Sequence, residues 1–158
     1  MIHSRNVQAL LDGMLGGCDV LEGTVPVPAL HSVALLSAET GSIISFSKQH
    51  DLEHGPADGP AGPAEHDSLN NLRIMALLVK DKFSSDEKKS CEKGYDLDGG
   101  HRAYTYDVED LHASVTRIPD SDLLLMLLAH RDFPYGLLNM KLKACVKSFA
   151  QLYGYRLG

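Results

Sequence analysis

Cysteine is scarce in this 158-residue chain, which has three: Cys18, Cys91 and Cys145. An odd number with no C-x-x-C spacing argues against a disulfide framework and against a cysteine-based zinc site, and a reducing compartment is the simple reading. Long apolar runs are lacking too. The longest, Leu123 to Ala129, falls far short of the roughly 20 residues needed to span a bilayer, so a soluble chain is expected. There is no Met-Gly start, no apolar leader and no terminal prenylation cysteine, so any membrane residence is expected to be borrowed from a partner. Nor is there an excess of positive charge. A formal charge of −6 repels phosphate backbones and argues against general nucleic-acid binding.

Catalytic signatures are equally thin. The sequence contains no G-x-S-x-G, G-x-x-x-x-G-K or G-x-G-x-x-G, which leaves a nucleophile elbow and the usual nucleotide loops without support. His50-Asp-Leu-Glu53-His54 matches the H-x-x-E-H pattern of inverted zinc peptidases, in which two imidazoles bind zinc and the carboxylate activates water. A zinc-dependent hydrolase built on His50, Glu53 and His54 is therefore the alternative from another class. Against it, the motif runs into a Gly/Pro-rich stretch that cannot preorganise ligands, and a third ligand is not evident; adding His66 gives at most an adventitious metal site. His130-Arg-Asp132 imitates a kinase catalytic loop, but position 137 is leucine where asparagine is needed and the other kinase motifs are absent. His3, His31, His101 and His112 show no ligand spacing, and Glu109-Asp110 and Asp86-Glu87 read as solvated pairs in turns or loops.

What is present suits one globular domain: 44% of the residues are hydrophobic and 23% charged. Val7, Leu10, Leu11 and Met14 repeat at helical spacing behind Ser4, and Gly16-Gly17 stops the pattern. Residues 29–37 and 42–47, joined through Gly41, read as a hairpin. Residues 48–66 and 84–100 read as loops, the first because Gly55 to Pro63 holds three glycines and three prolines. Between them, behind Asp67-Ser68, Leu72, Met75, Ala76, Val79 and Phe83 form a helical stripe, and Ile74, Leu77 and Leu78 add a second apolar side. Residues 102–108 and 111–118 alternate as strands, and Leu123 to Leu128 is continuous enough for a central strand covered on both faces. Phe133-Pro134 opens a last helix with the stripe Leu138, Leu142, Cys145, Phe149 and Leu152, closed by Gly154. The order predicts an α/β protein of the α+β type, a mostly antiparallel five-stranded sheet sandwiched by helices.

Charge is uneven along this plan. Residues 1–66 carry two basic and eight acidic side chains, whereas residues 133–158 carry Lys141, Lys143, Lys147 and Arg156 and no acid. The lysines fit either an ordinary solvated face or contact with an acidic partner or lipid headgroups.

Taken together, His3-Ser4 with Asn6-Val7, Asn70-Asn71-Leu72, Leu78 with Lys80-Asp81-Lys82, Tyr104-Thr-Tyr106 and Glu109-Asp110-Leu111-His112 resemble the roadblock/dynein-light-chain superfamily, most closely its branch in the fungal EGO complex. The likeness continues through Ile118-Pro119, Ser121-Asp122-Leu123-Leu124-Leu125, Phe133-Pro134-Tyr135-Gly136-Leu137-Leu138, Gly154-Tyr155 and Leu157-Gly158, nearly the full length. Residues 48–66 and 84–100 lie outside it. The resemblance implies a five-stranded antiparallel sheet with one helix on one face and two on the other, no catalytic residues and no cofactor. It also implies pairing through the middle helix and the third strand, which places Ile74, Leu77, Leu78, Tyr104 and Tyr106 in a dimer interface. The implied role is a scaffold subunit of a Ragulator-like complex on the cytosolic face of the vacuolar, lysosomal or late endosomal membrane. There it would form a homodimer, or a heterodimer with a second roadblock protein, join an acylated anchor subunit and support Rag-type GTPases in signalling to the target-of-rapamycin kinase. A roadblock regulator of another GTPase or of a motor would share the fold and differ in partner.

Overall fold

A computed structural model describes residues 4–15, 30–48, 63–89, 94–97 and 101–155. Helix α1 (Ser4–Leu15) leads to strands β1 (Ser32–Ser37) and β2 (Ile43–Lys48); helix α2 (Pro63–Lys88) follows, then β3 (Tyr95–Leu97), β4 (His101–Val108), β5 (Leu111–Arg117), β6 (Leu123–His130) and helix α3 (Tyr135–Ser148), with a 3-10 turn at Ala150–Leu152. The strands form one sheet in the order β2-β1-β6-β5-β4-β3, and every neighbouring pair is antiparallel.

β6 explains the layering. Leu123 to Ala129 are all buried, and because successive side chains point to opposite faces, the strand feeds two cores at once. Leu123, Leu125, Leu127 and Ala129 pack with Val7, Leu11 and Met14 of α1 and with Leu138, Leu142, Cys145 and Phe149 of α3. Leu124, Met126 and Leu128 pack with Leu72, Met75, Ala76, Val79 and Phe83 of α2. Among the described residues the result is two helices on one face and one on the other, as the resemblance implies.

Several expectations need correction. Among the described residues there are six strands, the additional one being β3, inside the stretch 84–100 that was expected to be a loop. α2 is also longer at both ends than its apolar stripe. Pro63 to His66, expected as part of the loop 48–66, already form its first turn, and Asp67-Ser68 lie inside it. Proline suits that first position because its missing N–H would have no partner in the first turn anyway. At the far end, Ser84 to Lys88 continue the helix through polar sequence because tertiary bonds hold it: the Tyr106 hydroxyl donates to Asp86 at 2.7 Å, and Arg117 makes two hydrogen bonds to Glu87 at 3.0 and 2.7 Å. Lys48, the first residue of the expected loop, ends β2. The motif at His50, Glu53 and His54 lies outside the described residues, as do Cys18 and Cys91.

The turn between β1 and β2 requires glycine. Gly41 has φ +79°, and a Cβ there would sit 3.0 Å from Leu77 Cδ2 and 3.4 Å from Lys80, so the hairpin end backs directly onto α2. On the other face, Gln8 and Asp12 of α1 tie down β2: Gln8 donates to the Phe46 carbonyl and accepts from Ser45, and Asp12 accepts from Ser47.

His31 stands just before β1, with its Nδ1 3.1 Å from the Ser32 hydroxyl and its ring edge-on to His130. Burial first, then the charges of His130 and Lys48, hold its imidazole below the ordinary 6.5. The unfolded chain therefore takes up a proton near 6.5 that the folded chain resists, so the stability is full above that pH and is lost as pH falls below it. Thermal unfolding should show wild type losing more stability between about pH 7 and 5 than His31→Gln does; equal losses would remove His31 as the cause.

Candidate functional site

α2 has one face too many for the sheet beneath it. With 3.6 residues per turn, Leu72, Met75, Ala76, Val79 and Phe83 point inward and are buried, while Ile74, Leu77 and Leu78 project outward at 53, 48 and 49% exposure. Completing the burial of three such half-covered side chains makes about 2–4 kcal/mol available to association. The outward residues divide between two flanks. Leu77 leans toward the β1–β2 turn, against Gly41. Leu78 lies one turn before Lys82 on the same side, and Lys82 places its ammonium 5.8 Å from the centre of the Tyr106 ring, so this flank looks toward β4.

On the first flank a groove of about 340 Å³ runs between Leu69, Arg73 and Leu77 of α2 and Gly41, Ser42, Ile43, Ile44 and Phe46 of the hairpin. Its floor is set by an irregularity in strand pairing: Leu35 pairs with Ser45 and Leu36 with Ile43, so the register passes over Ile44, which is left 42% exposed. Neither the groove nor Ile44 was anticipated. The adjacent pair Ile43-Ile44 carried the signal, because two successive apolar residues in a strand cannot both face one core without a bulge.

On the second flank the two tyrosines of β4 part company. Tyr106 is half-buried, bonded to Asp86 and covered by Lys82. Tyr104, expected with it in a dimer interface, is 6% exposed and packs its ring edge-to-face on Phe83 at 5.7 Å, so its side chain belongs to this chain's own core. The ion pair from Arg117 to Glu87 closes the end of α2 onto β5. Its hydrogen bond raises the Arg117 guanidinium above its ordinary value, and burial opposes part of that rise.

The expected cationic face of α3 is also smaller than the sequence suggested. Lys141 is 1% exposed and lies within the α3 layer, which removes it from contact with lipid or an acidic partner. Spacing explains this: Lys141 is one residue from Leu142 and four from Cys145, close enough to the stripe to be drawn under it. Lys143 is half-buried and Lys147 exposed. They border a small cleft of about 70 Å³ together with His101, Arg117 and Tyr153. At its other end α3 is held to the β4–β5 hairpin: His112 stacks on Tyr135 at 4.0 Å, its Nδ1 lies 3.1 Å from the Phe133 carbonyl, and the Tyr135 hydroxyl donates to Asp107. Burial, then Asp107, pushes the Tyr135 phenol above its ordinary range. Beneath them, the buried Ser114 hydroxyl donates to Asn139 at 2.7 Å. Among the described residues no group of three His, Cys, Asp or Glu side chains is placed to hold a metal ion. Among them, too, no helix is long and apolar enough to cross a membrane.

A sheet with one long helix on one face and two helices on the other defines a roadblock-type subunit. The fold matches a Roadblock/LC7 domain from Streptomyces avermitilis with a TM-score of 0.57 at 19% identity, covering 91% of this chain and 94% of that one. It also matches the gliding protein MglB from Thermus thermophilus (TM-score 0.57, 12% identity, 94% of this chain and 89% of that one) and MglB with a tetrameric arrangement (TM-score 0.56, 14% identity, 95% and 88%). At such identities the likeness establishes the fold. The narrower assignment comes from sequence: residues 1–157 match the family described as Protein SLM4, and the chain is 36% identical to Protein SLM4 of Saccharomyces cerevisiae (strain ATCC 204508 / S288c) over 166 aligned positions, covering 100% of this chain and 99% of that protein. The chain belongs to the SLM4 family.

The two sides of α2 should respond differently to substitution. In urea unfolding of dilute protein, Phe83→Ala should cost about 3–5 kcal/mol, as expected for a large aromatic removed from a packed core. Leu78→Ser, by contrast, should change the stability of the single chain by no more than about 0.5 kcal/mol. A comparable loss from both would show that Leu78 is a core residue.

Proposed function

We propose that this chain is a noncatalytic scaffold subunit of an EGO-type, Ragulator-like complex, which pairs through α2 and β4 and supports Rag-type GTPases in amino-acid signalling to the target-of-rapamycin kinase. One observation carries this reading: Ile74, Leu77 and Leu78 remain about half exposed on a helix whose inner face has already completed the core. Apolar side chains grouped in this way on a rigid helix mark a contact with another protein. Membership of the SLM4 family over the full chain and the roadblock fold support the reading. The pairing surface narrows to Ile74, Leu77, Leu78 and Tyr106, with Tyr104 contributing through its backbone.

Attachment to the cytosolic face of the vacuolar or lysosomal membrane belongs to the same proposal, through an acylated partner. Lys143 and Lys147, without Lys141, are the cations of α3 left to meet lipid or acidic groups. At roughly 1 kcal/mol each near an anionic surface they assist docking and cannot replace an inserted acyl chain.

Sedimentation tests the first part. Wild type should run as a dimer, and Leu78→Asp should shift toward monomer, because an uncompensated buried charge in the contact costs on the order of 3–5 kcal/mol. An unchanged dimer would place the contact elsewhere. Proteins that co-purify with the wild-type chain identify its GTPase.

Liposome flotation tests the second part. At physiological salt the isolated chain should float weakly with anionic vesicles and strongly once an acylated partner is supplied. Strong flotation of the chain alone would contradict the borrowed anchor.

A further inference from the structure

Lysine and arginine are outnumbered by acids in this chain, 15 to 21, yet the small cleft beside α3 gathers basic groups from three elements. β4 runs antiparallel to both of its neighbours, so its first residue, His101, lies opposite Leu97 of β3 and near the end of β5, where Arg117 stands. α3 brings Lys143 and Lys147 to the same end of the sheet, four residues apart and therefore on one side of the helix. The 3-10 turn then carries Tyr153 to the rim, with its hydroxyl 3.5 Å from the Val146 carbonyl. The buried side chains of Leu97 and Val146 complete the wall.

The charge around this cleft does not cancel. Glu87 takes two of the Arg117 N–H groups and the Ser121 carbonyl a third, of the five that a guanidinium carries, and Asp122 exerts a lesser pull. Lys143 takes part in an interaction within the chain, so a ligand must compete for it, whereas Lys147 is exposed. Three cations against two carboxylates leave the cleft positive, and His101 supplies a ring N–H besides. Size narrows what enters. A space of about 70 Å³ holds a few waters and lies well below the roughly 300 Å³ at which pockets for whole small molecules begin. A phosphate monoester suits both limits, because it concentrates a charge of about −1.5 to −2 and three acceptor oxygens on one small group. A carboxylate brings less charge and fewer acceptors. Lys147 also has a simpler use, since it stands in the last turn of α3, where the negative end of a helix holds a cation. That use alone predicts no response to phosphate.

We infer that the cleft between His101, Arg117, Lys143 and Lys147 is an anion site that takes a single phosphate monoester group, with the body of the ligand, a lipid headgroup or a soluble phosphate compound, remaining outside beside Tyr153. The site rests on the reading of Lys143 and Lys147 as cations left to meet lipid or acidic groups; it names the chemistry they meet, adds His101 and Arg117 to them, and does not depend on pairing through α2.

Titration of the full chain with inorganic phosphate, against chloride at constant ionic strength and followed through backbone amides by NMR, tests the site. Shifts should saturate in the millimolar range and centre on His101, Arg117, Lys143 and Lys147. Replacing both lysines, Lys143→Gln with Lys147→Gln, should weaken binding at least about tenfold. Arg131→Gln removes an exposed cation at the opposite end of the sheet and should leave binding unchanged. Glu87→Gln withdraws the acid that shares Arg117 and should tighten binding about threefold, which a purely structural role for the lysines would not produce. Circular dichroism checks folding, and the lysine pair decides the matter if Glu87→Gln does not fold. Absence of saturable shifts, or binding that survives the loss of both lysines, would overturn the site. Vesicles of phosphatidylcholine carrying a few per cent phosphatidylinositol 4-phosphate, or phosphatidylserine to the same surface charge, separate the two sources. Preference for the first, relieved by inorganic phosphate, supports the site with a lipid headgroup as its ligand; equal, weak binding to both, with the phosphate shifts intact, supports it with a soluble one. Recruitment by an acylated partner without any phosphate binding would remove the cleft and leave the borrowed anchor standing, and phosphate binding without recruitment would do the reverse.

Discussion

Burial of β6 on both faces is the constraint from which the rest follows. Its alternating side chains require an apolar cover above and below, and no one helix can supply both. α1 and α3 close one side. Among the described residues α2 alone closes the other, and this single helix packs on residues of β1, β6, β5 and β4. A helix of 26 residues can do this only by lying across the sheet with one side inward, and its sequence loads the outer side with Ile74, Leu77 and Leu78 as well. The surface available to a partner is a consequence of how the core was closed.

Polar contacts then fix where that surface sits. Arg117 and Glu87, with Tyr106 and Asp86, hold the carboxy-terminal half of α2 over β4 and β5. Gly41 lets the β1–β2 turn approach the other flank. Such half-exposed ion pairs add little to stability, typically under about 1 kcal/mol, and their effect here is positional. They keep Leu78 beside β4 and Leu77 beside the groove at Ile44.

Much of this was legible in the sequence, for identifiable reasons. β6 was readable because seven consecutive apolar residues between Asp122 and His130 are too few for a helix and too many for a one-sided strand. The inner stripe of α2 and its second apolar side followed from helical spacing. The ends of α2 did not, since Ser84 to Lys88 have no apolar periodicity and are held by residues of β4 and β5 distant in sequence. β3 is three residues long, below what alternation can reveal. The burial of the Tyr104 and Lys141 side chains was not legible for a shared reason: spacing tells which residues share a side, and the depth to which a side is covered depends on neighbours such as Phe83 that only the fold brings near. The zinc-peptidase alternative at His50, Glu53 and His54 falls outside the described residues and gains nothing from the fold.

Amide hydrogen exchange on dilution tests most directly whether the β4 edge beside α2 is the surface that meets a partner. As protein concentration falls through the association range, outward-facing amides of Tyr104–Val108 should exchange faster, while those of Leu123–Ala129 in the central strand keep their protection. Acceleration confined to another surface such as α3, with Tyr104–Val108 unchanged, would contradict the account.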